Sequence, residues 1–221
     1  MTRQKTSTDA PVLSWLAPAR PGRAEIRVKG SRFLADVART MDEPTAVRHL
    51  ERLAGEFPDA THHCWAFRVR DPAGRLVARC SDAGEPSNTA GAPIARALQS
   101  ADLEESSLVV VRWFGGTKLG VGPLARAYRD AAAAGIDAAG IQRRAAYTEF
   151  SIDFPYEDSA AVRRALRRCD AEILGEQSAE RAMLTVIVPV QATGQMEASV
   201  TDASRGRAII QALRRRTGPC S

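Results

Sequence analysis

Lysine is nearly absent from this chain. Of 31 basic residues among 221, only Lys5, Lys29 and Lys118 are lysine, and the other 28 are arginine. The guanidinium fork suits phosphate geometry, but an arginine- and alanine-rich composition also follows from coding bias, so composition by itself names no ligand. Histidine is equally scarce, with only His49, His62 and His63. The four cysteines, Cys64, Cys80, Cys169 and Cys220, form no CxxC pair and no zinc-ligand spacing. A structural metal site is therefore not expected, and the pattern suits a reducing, cytoplasmic compartment.

Long apolar runs are missing too. Stretches such as Val109–Val111 are far short of the roughly 20 residues that cross a bilayer, so no membrane partner is expected. The N-terminus lacks a secretory apolar core, and Pro11, Pro18 and Pro21 interrupt it. What remains is ordinary globular usage, 44% hydrophobic and 26% charged. The net charge of +5 is unevenly placed. Residues 147–221 carry ten Arg against ten acids, so the whole excess, 21 minus 16, lies in residues 1–146.

The length admits two packed domains. Residues 1–22 read as a flexible leader. Residues 24–28 and 32–39 alternate with the strand period around Lys29-Gly30-Ser31, predicting a hairpin. Asp42 before Pro44 caps a helix whose apolar positions are Val47, Leu50, Leu53, Ala54 and Phe57, ended by Pro58. Residues 62–70 and 75–81 flank the turn Asp71-Pro72-Ala73-Gly74 as a second hairpin. A loop over 82–91, a helix over 93–100, a buried-type strand over 108–114 and a helix over 123–139 complete a first domain, placed at 23–142. The pattern then resets at 143–146 into strand, helix, strand, strand, helix, strand, the split βαβ order. That places a second domain at 146–213, followed by a basic fraying tail over 214–221.

From Ser106 to Arg129 there is no acidic residue, while Arg112, Lys118, Arg126 and Arg129 fall inside the stretch. It contains a glycine-rich loop, with Gly115, Gly116, Gly120 and Gly122, that leads into a helix. Exposed amides, the helix dipole and Lys118 together favour a phosphate there. The same glycines also serve a tight turn with solvated cations around it. Leu119 stands where a Walker loop needs Ser or Thr, which argues against nucleotide hydrolysis. Gly120 to Ala125 fits G-x-G-x-x-A but lies past the strand end, with no acid about 20 residues on, so no dinucleotide cofactor is expected.

His62 and His63 point to opposite faces of a strand and cannot both chelate one ion. Cys64 shares a face with His62, and a packed thiol beside one rim histidine is the reading taken over a catalytic pair. Asp82, Glu85, Ser87 and Thr89 form a polar loop whose side chains cap backbone or make a functional rim. Trp113 and Phe114 suit either a base-stacking platform or core packing, and packing is expected.

Three strings, THHCWAF at 61–67, SDAGEPSNTAG at 81–91 and VVVRWFGGTKLGVGPLARAY at 109–128, together resemble the signature of the IMPACT and YigZ family. The resemblance implies an α+β fold of two domains. The first is akin to the second domain of a small-subunit ribosomal protein and to the fourth domain of elongation factor G. The second is ferredoxin-like, as in that factor's fifth domain. It also implies RNA or the ribosome as partner, with a role in translation or its regulation. Eukaryotic relatives act on a starvation-kinase pathway through an additional N-terminal domain, and that partner is not transferred to this chain. Two other readings stay open: a small-molecule or nucleotide-handling enzyme with a pocket between loops 81–91 and 115–122, its catalytic residues unknown, and a protein-interaction module. The chain departs from the pattern at His63, Ala83, Asn88 and Pro123.

Overall fold

Two consecutive residues set the first hairpin. In the computed structural model, which describes residues 14–71 and 74–219, Lys29 (φ 45°) and Gly30 (φ 81°) are both left-handed. That is the two-residue turn whose twist matches antiparallel strands. It joins β2 (Gly22–Val28) to β3 (Ser31–Arg39), with Val28 opposite Ser31. Before them lies β1 (Ser14–Pro18). The chain divides into two compact units, Trp15–Arg143 and Arg144 onward.

The first unit is a sheet in the order β2-β3-β6-β4-β5, with β4 (His62–Arg70), β5 (Leu76–Ser81) and β6 (Ser106–Trp113). Every neighbouring pair is antiparallel. Central β6 is buried from Ser106 to Arg112, which explains its unbroken apolar run. Its residues alternate between two cores. Leu108 and Val110 meet α2 (Gly91–Ser100) and α3 (Val121–Ala139) on one face, and Val109 and Val111 pack with Leu53 of α1 (Glu43–Glu56) on the other. Strands β5 and β6 both run antiparallel to β4, so α2 and α3, each returning along the sheet, lie parallel.

Asp42 caps α1 reciprocally with Thr45, its carboxylate accepting from the Thr45 amide at 2.9 Å. The buried stripe is Ala46, His49 and Leu53. Val47 is 42% exposed and Ala54 is also exposed, so the helix is rotated from the expected apolar face. The reason is His49, which periodicity counts as polar. Its Nε2 donates to Asp36 at 2.8 Å, and its Nδ1 lies 2.9 Å from the Ser107 hydroxyl. Asp36 also accepts from Arg23 at 2.7 Å and from Arg52 at 3.1 Å.

In the second unit β7 (Ile141–Pro155), α4 (Ser159–Arg168), β8 (Glu172–Ser178), β9 (Arg181–Pro189), α5 (Thr193–Ala203) and β10 (Ile209–Pro219) follow one another. The strand order β10-β7-β9-β8 is the ferredoxin-like arrangement of a split βαβ pair. Phe150, Ile152, Phe154, Leu184 and Val186 face Val162, Leu166, Met196 and Val200 in its core.

Two boundaries differ from expectation. The leader read over 1–22 ends earlier, because residues 14–18 form β1 with Trp15 and Ala17 buried, and the Leu16 carbonyl accepts from the Glu104 amide at 2.7 Å. Residues 1–13 lie outside the described part. The division between the units falls at Arg143 and Arg144, within β7, which runs unbroken through 143–146 with Arg144 and Ala145 buried. The tail read over 214–221 belongs to β10 as far as Pro219, which pairs with Arg144. Its arginines are not merely solvated: Arg214 and Arg216 lie 2.9 and 3.2 Å from the buried Glu149 carboxylate.

Burial works against the charge of Asp36, but hydrogen bonds from His49 and Arg23, with their charges, outweigh it and hold the carboxyl below its ordinary value. A carboxyl so depressed contributes stability that is complete above its unfolded value, near 3.9, and lost as pH falls through the lower folded value. Asp36→Asn is therefore expected to cost about 3 kcal/mol at pH 7. It should also flatten the loss of stability below about pH 4, both read from urea unfolding across pH.

Candidate functional site

The loop after β5 is shaped by one carboxylate. Asp82 accepts from the amides of Asn88 (2.8 Å), Ala90 (2.9 Å) and Gly91 (2.8 Å), closing the loop and capping the start of α2. Burial opposes its charge, and these three amides still hold it below the usual carboxylate range. Ala83 (φ 45°), Gly84 (φ 89°) and Asn88 (φ 63°) supply the left-handed turns. Asn tolerates that conformation well. Thr89 is buried and donates to the Pro86 carbonyl at 2.6 Å, while Ser87 is exposed. Asp82 and Thr89 are thus occupied in building the loop.

That loop delivers Glu85 inward, against Arg112 of β6. The two side chains are 4% and 6% exposed and form a close ion pair. Tyr128 of α3 donates to Glu85 Oε1 at 2.7 Å. Cys64 Sγ lies 3.3 Å from the Tyr128 oxygen and 3.0 Å from the Asp82 carbonyl, to which it donates. His62, opposite Arg112 in the strand register, donates through Nδ1 to the Ala83 carbonyl at 2.9 Å and places Nε2 3.9 Å from Glu85. Arg112 also reaches Ser31 Oγ at 3.3 Å, and that same oxygen accepts the Gly115 amide at 3.2 Å. One buried network thus ties the 82–91 loop, β6, α3 and the glycine loop together.

Burial holds the thiol and the phenol of this cluster in their protonated forms. Burial pushes the Cys64 thiol up to about 12, so almost no thiolate exists at neutral pH. Burial, with the neighbouring Cys64 and Glu85, likewise drives the Tyr128 hydroxyl upward. Cys80 is exposed and pairs across the hairpin with Ala66, and both Cys64 and Cys80 are free thiols. Among the described residues no group of three or more His, Cys, Asp or Glu side chains is placed to hold a metal ion.

The glycine loop lies at the surface. Gly115 stacks on Gly30, and a Cβ there would sit 1.9 Å from the Gly30 carbonyl carbon. Gly116 (φ 83°) and Gly120 (φ 81°) make the left-handed bends. Gly120 caps α3 without any side-chain hydrogen bond, which leaves helix N-terminal amides open to an anion. Lys118 and Arg126 are exposed and, among the described residues, have no ion-pair partner. Arg112 differs from the expectation of a surface phosphate ligand: it is turned inward onto Glu85. Phe114, expected in the core, is 46% exposed. Trp113 is half-buried beside Phe57, with Arg32 stacked 3.6 Å over its ring and its Nε1 donating to Asp59 at 2.8 Å.

Tyr128 and Ser31 are the network members that residue-by-residue reading passed over. The signal for Tyr128 was its place in the buried stripe of α3, with Leu124, Ala127, Ala131 and Ala132, where a phenol needs a polar partner. Ser31 carried no signal. A groove of about 750 Å³ opens between α2 and α3 and meets the glycine loop at Gly122.

These features define a two-domain α+β protein in which a buried ion pair supports a surface loop of glycines and cations. Residues 29–136 match the Impact N-terminal domain. The chain is 32% identical over 200 residues to the IMPACT family member YigZ of Escherichia coli, covering 90% of this chain and 98% of that one. It is 26% identical over 198 residues to the IMPACT family member YvyE of Bacillus subtilis, covering 90% of each. A crystal structure of a hypothetical protein superposes with a TM-score of 0.63 at 32% identity, over 91% of this chain and 98% of that one. The chain belongs to the IMPACT family.

Removing one partner of the buried pair leaves an uncompensated charge. Glu85→Gln or Arg112→Met alone should cost about 3–5 kcal/mol, and the double change Glu85→Leu with Arg112→Met should recover much of that, measured by chemical unfolding. Mass-mapped iodoacetamide labelling at pH 8 should mark Cys80 and spare Cys64 until the protein unfolds.

Proposed function

We propose that this protein binds RNA through the loop Gly115–Gly122 and the start of α3, and acts in translation. The observation that carries the reading is an acid-free surface segment in which Lys118 and Arg126 lack ion-pair partners among the described residues, beside the uncapped start of α3. Free cations and open amides offer phosphate the hydrogen bonds that hold a nucleic-acid backbone. The exposed ring of Phe114 and the Arg32–Trp113 stack add faces on which unpaired bases stack. The translational setting rests on the resemblance of the two domains to those of a ribosomal protein and elongation factor G. Arg112 and Glu85 serve as positioning residues, since they hold the loop without facing the ligand.

Backbone binding of this kind weakens with salt as condensed counterions are released. Lys118→Ala with Arg126→Ala should weaken binding to single-stranded RNA and lower the slope of log K against log salt by roughly 0.7 for each phosphate that is no longer neutralised. Fluorescence anisotropy over a salt series, with circular dichroism as a fold check, measures both. Equal affinity and equal slope in parent and variant would leave the loop as a turn and no more.

A further inference from the structure

The groove between α2 and α3 has a chemistry of its own. Its lining holds the small apolar residues Pro93, Ala97, Ala101 and Ala125, with Ile136 and Ile141. Arg96 lies one turn beyond Pro93, at the middle of α2, and Arg126 one turn beyond Gly122, near the start of the parallel α3. Neither has an ion-pair partner among the described residues, whereas Arg129, on the same wall, is held by Asp130 at 2.7 Å. From Gly122 to Asp137 the wall spans 16 residues of α3, about 22 Å at the helical rise. The volume of about 750 Å³ falls in the range of small-molecule sites.

We infer that this groove binds a small amphipathic anion, with a carboxylate or phosphate head between Arg96 and Arg126 and an apolar tail along Ala97, Ala133 and Ile136. The charge complementarity comes from two guanidinium groups that have no ion-pair partner among the described residues. The uncapped start of α3 adds its positive pole at the same end. The tail follows the other end because an alkyl chain laid there takes alanine and isoleucine surface, and its own, out of water. A cationic head would meet Arg96 and Arg126, and the acid of the lining, Asp137, stands at the far end of the groove. The site shares Arg126 and the start of α3 with the RNA reading, while Arg96, Ala97 and Ala133 lie outside the glycine loop.

The test is calorimetric titration of the full chain with dodecanoate, dodecyl phosphate and dodecyltrimethylammonium, each below its micellar concentration. A single saturable site for one or both anions, and none for the cation, is expected, and the two anions distinguish the head group. Ala133→Trp, at an exposed position that tolerates bulk, should abolish the site. Arg96→Ala should weaken it roughly tenfold or more. Both variants should keep the parent's RNA affinity and salt slope, which separates failure here from failure of the RNA reading. Absence of anion binding, equal binding of the cation, or binding unmoved by both variants would overturn the inference.

Discussion

Arg112 and Glu85 meet in a space that excludes water, and the geometry around the glycine loop follows from that pairing. Two charges taken out of water are costly, and their attraction compensates only when the remaining donors and acceptors are also satisfied. Tyr128 and Ser31 supply partners for Glu85 and for one Arg112 nitrogen, Arg112 Nε being left without one, and each brings a different element with it. Tyr128 ties in α3, and Ser31 ties in the hairpin on which Gly115 rests. The pair therefore acts as a fixed point for the 82–91 loop, the glycine loop and α3. A loop held this way presents its amides and cations at little cost in ordering when a ligand arrives.

A second buried charge plays the same part on the opposite face of the sheet. Asp36 gathers Arg23, His49 and Arg52, and His49 passes the connection to Ser107 of central β6. Strand β6 is thus bounded by a charged network on each side, with Val109 and Val111 filling one core and Leu108 and Val110 the other. This division of labour leaves Lys118, Arg126 and Arg96 unpaired among the described residues although arginine is abundant. Among the described residues of the first unit most arginines have a carboxylate partner; Arg20, Arg48, Arg96 and Arg126 show none, and the last two line the α2–α3 groove.

Much of the architecture was legible from local pattern. The Lys29-Gly30 turn, the Asp42 cap, the alternation of strands and the split βαβ order all depend on short-range sterics and periodicity, which neighbouring residues decide. The strings at 61–67, 81–91 and 109–128 carried the family. Harder to read were the ends of elements. SWLAP resembled leader because prolines surround it, and Arg214–Arg216 resembled a tail because a strand that neutralises Glu149 has the composition of a solvated run.

The sequence by itself determined the two-domain α+β class, the family, the left-handed bends and the acid-free basic segment, because each depends on residue type and spacing along the chain. Only the tertiary structure decided which of the cations face outward. Arg112 and Arg126 are equally basic on paper, yet one is sealed against Glu85 and the other is exposed. The difference arises because Glu85, Tyr128 and Ser31 come from three distant segments, and no local pattern records that they converge on a single guanidinium.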